Sequence, residues 1–275
     1  MSSILIGLIG STLISWIAYR RNSLTRDGAL AAVAVGTILY AAGDFSWFGT
    51  MILFFITSSI LTKWKSRQKE KLESGYAKSG NRDAVQVLAN GGTAALLCVL
   101  HAFFPNFGWW IAFMGVMAAA TADTWATEVG GLSRSKPRSV ITWRQVEPGQ
   151  SGGVTPAGTI ASAAGALLIG SFAVISAGLL KQEMQMSETL SKSLLTLLII
   201  TASGTFGGLA DSFIGAAAQR MNRCVVCGRE IEAGMHCNAV AVKSRGISWM
   251  NNDVVNVIAT WVGGGTAFIL AKLLL

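Results

Sequence analysis

Apolar residues run along this chain in long blocks, broken by short polar segments rich in Arg, Lys and Gly. The blocks cover residues 3–19, 28–43, 46–62, 84–104, 108–130, 154–180, 190–218 and 254–274. An apolar run of roughly 17–25 residues crosses a bilayer as a helix. The pattern therefore predicts an all-α, polytopic transmembrane helix bundle of about eight spans. The second block is the shortest and is Gly-rich. The first stretch, Ile4–Ala18, has no basic segment before it and is followed by Arg20 and Arg21. It reads as a spanning helix and not as a cleaved leader. No block is set apart by a long linker, so residues 1–275 are expected to form a single integral-membrane domain.

Composition agrees with the pattern. Only 13% of the 275 residues are charged and 52% are hydrophobic, with a mean hydropathy of +0.51. A soluble domain carries about twice that charge. The net charge of +8 would suit nucleic acid, but its placement argues for a membrane instead. Of 22 Lys and Arg, 19 fall in four alternate loops, 20–27, 63–83, 131–153 and 219–253. The remainder, Lys181, Lys192 and Lys272, belong to the opposite side. The positive-inside rule makes the four loops cytoplasmic and puts both termini outside, in a multi-pass protein of the cell membrane. Most of this basic charge needs no role beyond orientation.

Charge inside the apolar blocks is the exception that points to chemistry. Block 108–130 ends in Thr121-Ala-Asp-Thr-Trp-Ala-Thr-Glu-Val-Gly130, and Ala210-Asp-Ser-Phe-Ile-Gly215 echoes it. Carboxylates at membrane depth are costly and mark functional sites. On the expected topology Asp123, Glu128, Asp211, Asp83 and Asp253 gather at the cytoplasmic face from four helices. Asp83, Gln86 and Asn90 have the same offsets as Asp253, Asn256 and Thr260, and each set forms one polar stripe on a helix. Asn252 and Asn256 add an i, i+4 pair. Interhelical hydrogen bonding competes as a reading of Gln86, Asn90 and Thr260, and helix capping competes for Asp83 and Asp253. Clustered carboxylates beside Asn, Ser and Thr suit Mg²⁺, which takes oxygen ligands and shares them with phosphate.

The loop after Asp123 adds cations and glycines. It carries Arg134, Lys136 and Arg138, and then Gln150-Ser-Gly-Gly-Val-Thr155 directly before a new block. Gly152 and Gly153 would let backbone N–H groups approach an anion, with Ser151 and Thr155 beside them. The basic side chains would neutralise phosphate oxygens. A plain connecting loop is the competing reading, since no Walker-type Gly-Lys-Ser/Thr closes it. The last basic loop, 219–253, holds Cys224, Cys227, His236 and Cys237 in a C-x₂-C-x₈-H-C arrangement that fits a structural zinc knuckle. His101 is expected to be a packing residue far from this face.

Together these strings resemble a known family. Ala-Asp-Thr-Trp-Ala-Thr-Glu-Val-Gly, Ser-Gly-Gly-Val-Thr-Pro-Ala-Gly, Ala-Asp-Ser-Phe-Ile-Gly and Asn-Asp-Val-Val-Asn are similar to a multi-pass membrane family, formerly a domain of unknown function, that includes phytyl-phosphate kinase. The resemblance extends over nearly the whole chain. It implies transfer of a phosphoryl group from a nucleoside triphosphate, such as CTP, to a prenyl monophosphate. On that reading Asp123 and Asp211, with Glu128 and Asp253, hold Mg²⁺. Gly152, Gly153, Ser151, Thr155, Thr127, Arg134, Lys136, Arg138, Asp83, Asn90, Asn252 and Asn256 contact nucleotide or lipid phosphate. The partners would be the bilayer, a prenyl phosphate and a nucleotide, with no nucleic acid. Two alternatives use the same residues: a cytidylyltransferase acting on a lipid phosphate, and a transporter of a cation or phosphorylated lipid.

Overall fold

Each predicted apolar block forms a helix in the computed structural model, which describes residues 2–66, 68–69, 74–78, 80–180 and 190–275. The helices are α1 (Ser2–Arg20), α2 (Arg26–Ile38), α3 (Phe45–Lys63), α4 (Ala84–Phe103), α5 (Phe107–Gly130), α6 (Pro156–Leu180), α7 (Leu190–Ala217) and α8 (Asn252–Leu274). Lys181 and part of the 63–83 loop lie outside the described residues.

Short polar residues start the helices where the apolar runs begin. Asp44 Oδ1 accepts from Ser46 N, Asp83 from Gln86 N and Asn106 from Gly108 N, which caps α3, α4 and α5. Thr155 precedes Pro156, and its hydroxyl accepts from Gly158 N at 3.1 Å. A Thr cap followed by Pro at the first helical position satisfies one backbone donor and omits another. The second block is not one continuous α-helix. After Ile38 it widens into a π-helical turn, Leu39–Gly43, where Cys98 Sγ approaches the carbonyls of Ile38 and Leu39 at 3.9 and 3.8 Å.

Six of the helices, α1, α3, α4, α6, α7 and α8, are long and apolar enough to cross a membrane. Helix α2 is only 13 residues long. Helix α5, 24 residues long, carries Asp123 and Glu128 among threonines in its last turns. It need not be greasy, since neighbouring helices surround it: every residue from Trp110 to Ala122 is buried. Packing around it relies on small residues. A Cβ on Gly115 would lie 2.6 Å from the Gly263 carbonyl oxygen, and one on Gly204 or Gly207 would lie 2.5 Å from Ala118 or Ala119. Without a water-driven hydrophobic effect between helices, such close approach is what membrane helices gain from association. Outward positions stay apolar, as on α1, where Ile4, Leu5, Ile9 and Leu13 are exposed.

The chain is not purely helical between spans. Arg138–Ser139 (β1) pairs antiparallel with Gly153–Val154 (β2). Residues 221–245 fold into a three-stranded sheet, with Met221–Arg223 (β3) between Glu230–Ile231 (β4) and Val242–Arg245 (β7). A hairpin of Met235–His236 (β5) and Ala239–Val240 (β6) completes this unit. The expected loop over 219–253 is therefore a small folded roof on one end of the bundle.

Candidate functional site

One end of the bundle encloses a polar cavity of about 290 Å³. Its walls are the C-terminal turns of α5 and α7, the N-terminal turns of α4, α6 and α8, and the two folded loops. The small-residue seam between α5 and α7 sets its centre. At Gly208 the helices come so close that a Cβ would sit 3.2 Å from Ala122 and 3.4 Å from the Asp123 nitrogen. Asp211 lies one turn beyond Gly208, so its carboxyl lies beside that of Asp123. Asp211 Oδ2 is buried and has no hydrogen-bond partner. Two adjacent carboxylates repel unless a cation or shared proton lies between them. Hard oxygen donors with one unpartnered lone-pair site fit Mg²⁺. Glu232, from the roof, also lines the cavity, and Gln219 Nε2 donates to it at 2.8 Å. Burial raises the Glu232 pKa above the usual carboxylate range.

The other expected metal carboxylates each carry a cation partner, and Asp253 Oδ1, like Asp211 Oδ2, is buried with no hydrogen-bond partner. Glu128 lines the cavity but is neutralised by buried Lys69, and Thr62 Oγ1 donates to it at 2.6 Å. Asp253 is buried against Lys78 at 2.6 Å and is absent from the cavity lining. Lys78 also meets Asp83 at 2.8 Å and so ties the first turns of α4 and α8 together. Asp83 itself forms a capping box with Gln86, as the competing reading held. Burial works against the Lys78 ammonium, but the hydrogen bonds it donates to Asp253 and Asp83 outweigh it and raise its pKa. The two polar stripes do converge: Gln86, Asn90, Asn252 and Asn256 all line the cavity. Thr260 does not, and its hydroxyl donates to the Val257 carbonyl.

The Gly-rich loop wraps the cavity but not as a simple phosphate cradle. Ser151, Gly152, Gly153 and Thr155 line it, as does Thr127. Gly153 N–H is spent on Gln150 O at 3.1 Å, and Thr155 caps α6. Gly152 has φ +81°, and a Cβ there would lie 2.3 Å from Ala216 Cβ. It is glycine because the loop touches α7 at this point. Ser151 Oγ donates to Gln219 Oε1 at 2.7 Å. Arg134, Lys136 and Arg138 are exposed and outside the cavity lining. Arg138 turns away to donate to Trp143 O at 2.9 Å. Alternation along the segment places Ser133, Ser135 and Pro137 inward instead.

Lys69, Lys78 and Arg82 bring the cavity its positive charge, all from the 63–83 loop. By sequence alone, most of that loop's basic charge needs no role beyond orientation. Arg82 is distinctive. Its Nη1 is buried without a hydrogen-bond partner, and its guanidinium lies over the rings of Phe54 and Phe55 at 5.3 and 5.8 Å. Burial pushes its pKa down to about 10, so it stays charged at neutral pH. Arg82 also lines a second, apolar groove between α1, α2, α3 and α4, walled by residues such as Ile14, Val35, Met51 and Phe55. Arg82, Gln86 and Asn90 belong to both spaces.

On the roof, Cys224, Cys227, His236 and Cys237 place their ligand atoms within 4.8 Å of one another. Among the described residues they are the one group of three or more Cys, His, Asp or Glu side chains with metal-ligand spacing. His101, by contrast, packs on Trp47 with ring centroids 5.3 Å apart.

Comparison with known proteins places this architecture. The model of the family described as integral membrane protein DUF92 matches residues 9–264, and the chain belongs to that family. It is 30% identical to Protein PGR of Arabidopsis thaliana over 93% of this chain and 92% of that protein. It is 31% identical to the membrane protein MJ0933 of Methanocaldococcus jannaschii, covering 89% and 84% of the two chains. Protein VTE6, chloroplastic, also of Arabidopsis thaliana, is 24% identical over 100% of this chain and 71% of its own length. No solved structure matches the chain.

Proposed function

We propose that this membrane protein is a lipid-phosphate kinase, moving a phosphoryl group from a nucleoside triphosphate to a prenyl monophosphate. The observation that carries the reading is the meeting of two spaces at Arg82, Gln86 and Asn90. An apolar groove on one side suits a hydrocarbon tail. A polar cavity with a carboxylate pair on the other suits phosphates. A buried guanidinium with a free donor stands at the junction, where the head group of such a lipid would lie. Arg is suited to hold phosphate oxygens.

The acceptor needs little activation. A phosphate monoester has a second pKa near 6 and is mostly a dianion at neutral pH. One of its oxygens forms the new bond to the γ-phosphorus. The bond from that phosphorus to the β–γ bridging oxygen breaks, and the nucleoside diphosphate leaves. No proton has to be removed from the acceptor. Asp123 and Asp211 would hold Mg²⁺, which when bound neutralises charge on the triphosphate oxygens. Arg82 orients the acceptor, and the Asn and Gln side chains of α4 and α8 donate to phosphate oxygens. Ser133, Ser135 and the Gln150–Gly153 backbone line the approach from the loop side. Membership of a family that includes phytyl-phosphate kinase supports this class of reaction.

The test is an assay of purified protein with prenyl phosphates of several chain lengths and each nucleoside triphosphate, read by mass spectrometry. Lipid diphosphate and nucleoside diphosphate should appear together and require Mg²⁺, and Asp123→Asn should abolish both while the protein remains folded. A CDP-lipid with pyrophosphate would replace the kinase with a cytidylyltransferase. Flux into liposomes without nucleotide turnover would replace it with a transporter.

A further inference from the structure

The roof contains a second site with no part in phosphoryl transfer. Two hairpin tips face each other there. The first is the turn from β3 to β4, Cys224-Val-Val-Cys227-Gly228, closed by Gly228 N donating to Cys224 O at 2.9 Å and Cys224 N to Arg229 O at 3.0 Å. The second is the two-residue loop Cys237-Asn238 between β5 and β6. Its residues have φ of +51° and +57°, as a tight hairpin of this kind requires. Asn accepts that conformation readily, but Cys does not. A left-handed Cys persists only where its surroundings hold it, and here its thiol faces three other metal-ligand groups.

The donor atoms are already gathered. Cys227 Sγ and Cys237 Sγ lie 3.4 and 3.2 Å from His236 Nδ1, and all four ligand atoms fall within 4.8 Å. With Zn–S near 2.3 Å, the edges of a tetrahedral site are about 3.5–3.8 Å. Three sulfurs and one imidazole nitrogen select zinc over hard cations. Four protein ligands leave no open position for a substrate.

The consequence reaches the polar cavity. Arg223, at the end of β3, pairs with Glu230 and Val242, so the metal tips and the sheet are one unit. From that sheet Arg245 donates to Ala216 O at 2.7 Å and to Ser151 O at 3.3 Å, and Glu230 accepts from Gln150 at 2.9 Å. Roof, Gly-rich loop and the end of α7 are thus fastened together. We propose that Cys224, Cys227, His236 and Cys237 bind one structural Zn²⁺ that holds this roof over the cavity.

The full-length protein, purified in detergent without added metal, tests this by elemental analysis. Zinc is expected at one equivalent per chain, and exchange with Co²⁺ should give the absorption of a tetrahedral thiolate site. Cys227→Ser should lower zinc affinity by at least the roughly 10–100-fold that even outer-shell partners cost. His236→Cys keeps four ligands, so it should retain zinc and shift the Co²⁺ spectrum towards an all-thiolate site even if Cys227→Ser fails to fold. Cys98→Ser, outside the cluster, should change neither. Stripping the metal should speed amide exchange in the 150–153 loop and in β7. Zinc-free protein with a Cys224–Cys227 disulfide, or zinc content unchanged by Cys227→Ser, overturns the site. Unchanged exchange after stripping overturns its role in holding the roof. Neither result depends on which reaction the cavity catalyses.

Discussion

Arg82 puts a positive charge against the rings of Phe54 and Phe55, with its Nη1 buried and without a hydrogen-bond partner. If its free Nη1 meets a lipid phosphate, Arg82→Gln removes one charge-assisted hydrogen bond, worth roughly 1.5–3 kcal/mol. The expected result is an increase of about 10–100-fold in KM for the lipid phosphate, with the KM for nucleotide little changed. Steady-state kinetics with each substrate varied in turn checks it. Asp211→Asn should act on the other parameter. Losing half of the carboxylate pair should lower kcat on the order of 10²–10³-fold, the scale of one lost electrostatic contact to a transition state. Asp123 and Asp211 were legible in the sequence because a carboxylate inside an apolar block is conspicuous. Glu128 and Asp253 gave the same signal and proved to be paired. Their partners, Lys69 and Lys78, lie 59 and 175 positions away, and no periodicity links residues across such a distance. Arg82 was missed for the complementary reason: a cation in a basic loop looks like every other one.

The helices were the most legible elements, since apolar runs set their extent and Asp, Asn and Thr mark their starts. Asp83 shows how much rests on such a residue. It caps α4 and shares Lys78 with Asp253. Asp83→Ala should therefore lower stability by about 0.5–2 kcal/mol, measured as a fall in the unfolding transition in detergent. The loops were less legible. Strands of two to four residues are too short to show an alternating pattern, and in 219–253 only the cysteines and histidine stood out. Gly152 is the junction between loop and bundle. Gly152→Ala would force a left-handed alanine and a Cβ 2.3 Å from Ala216. Overpacking of that kind costs about 1–3 kcal/mol. The local result should be protease sensitivity within the 148–155 segment, with the helices intact. Gly153→Ala, at ordinary φ, should be milder, which separates contact at Gly152 from a general need for glycine.

At the scale of the whole molecule, the clearest consequence of the sequence is orientation. Four basic loops alternate with weakly charged ones, and the cavity opens among the basic ones: its lining draws on 63–83, 131–153 and 219–253. The positive-inside rule then predicts a cytoplasmic mouth for the cavity, where nucleotides are found. The eight spans expected from the sequence would return the C-terminus to the side on which the chain began. A reporter fused after Leu275 should therefore behave as external: alkaline phosphatase active there, a fluorescent protein dark. The same reporters placed after Ser248, in the roof, should give the opposite result. Matching signals at the two positions would mean that α8 does not cross. An external signal after Ser248 would separate the cavity from its nucleotide supply. The short α2 bears on this count, because its 13 residues, at about 1.5 Å each, span only about 20 Å. With the π-helical turn it reaches further, and packed between α1 and α4 it need not meet lipid on every side. Its inner face, through Ala32, Val35 and Gly36, instead lines the apolar groove that leads to Arg82. On the kinase reading, the groove beside this short helix is where the lipid tail would lie.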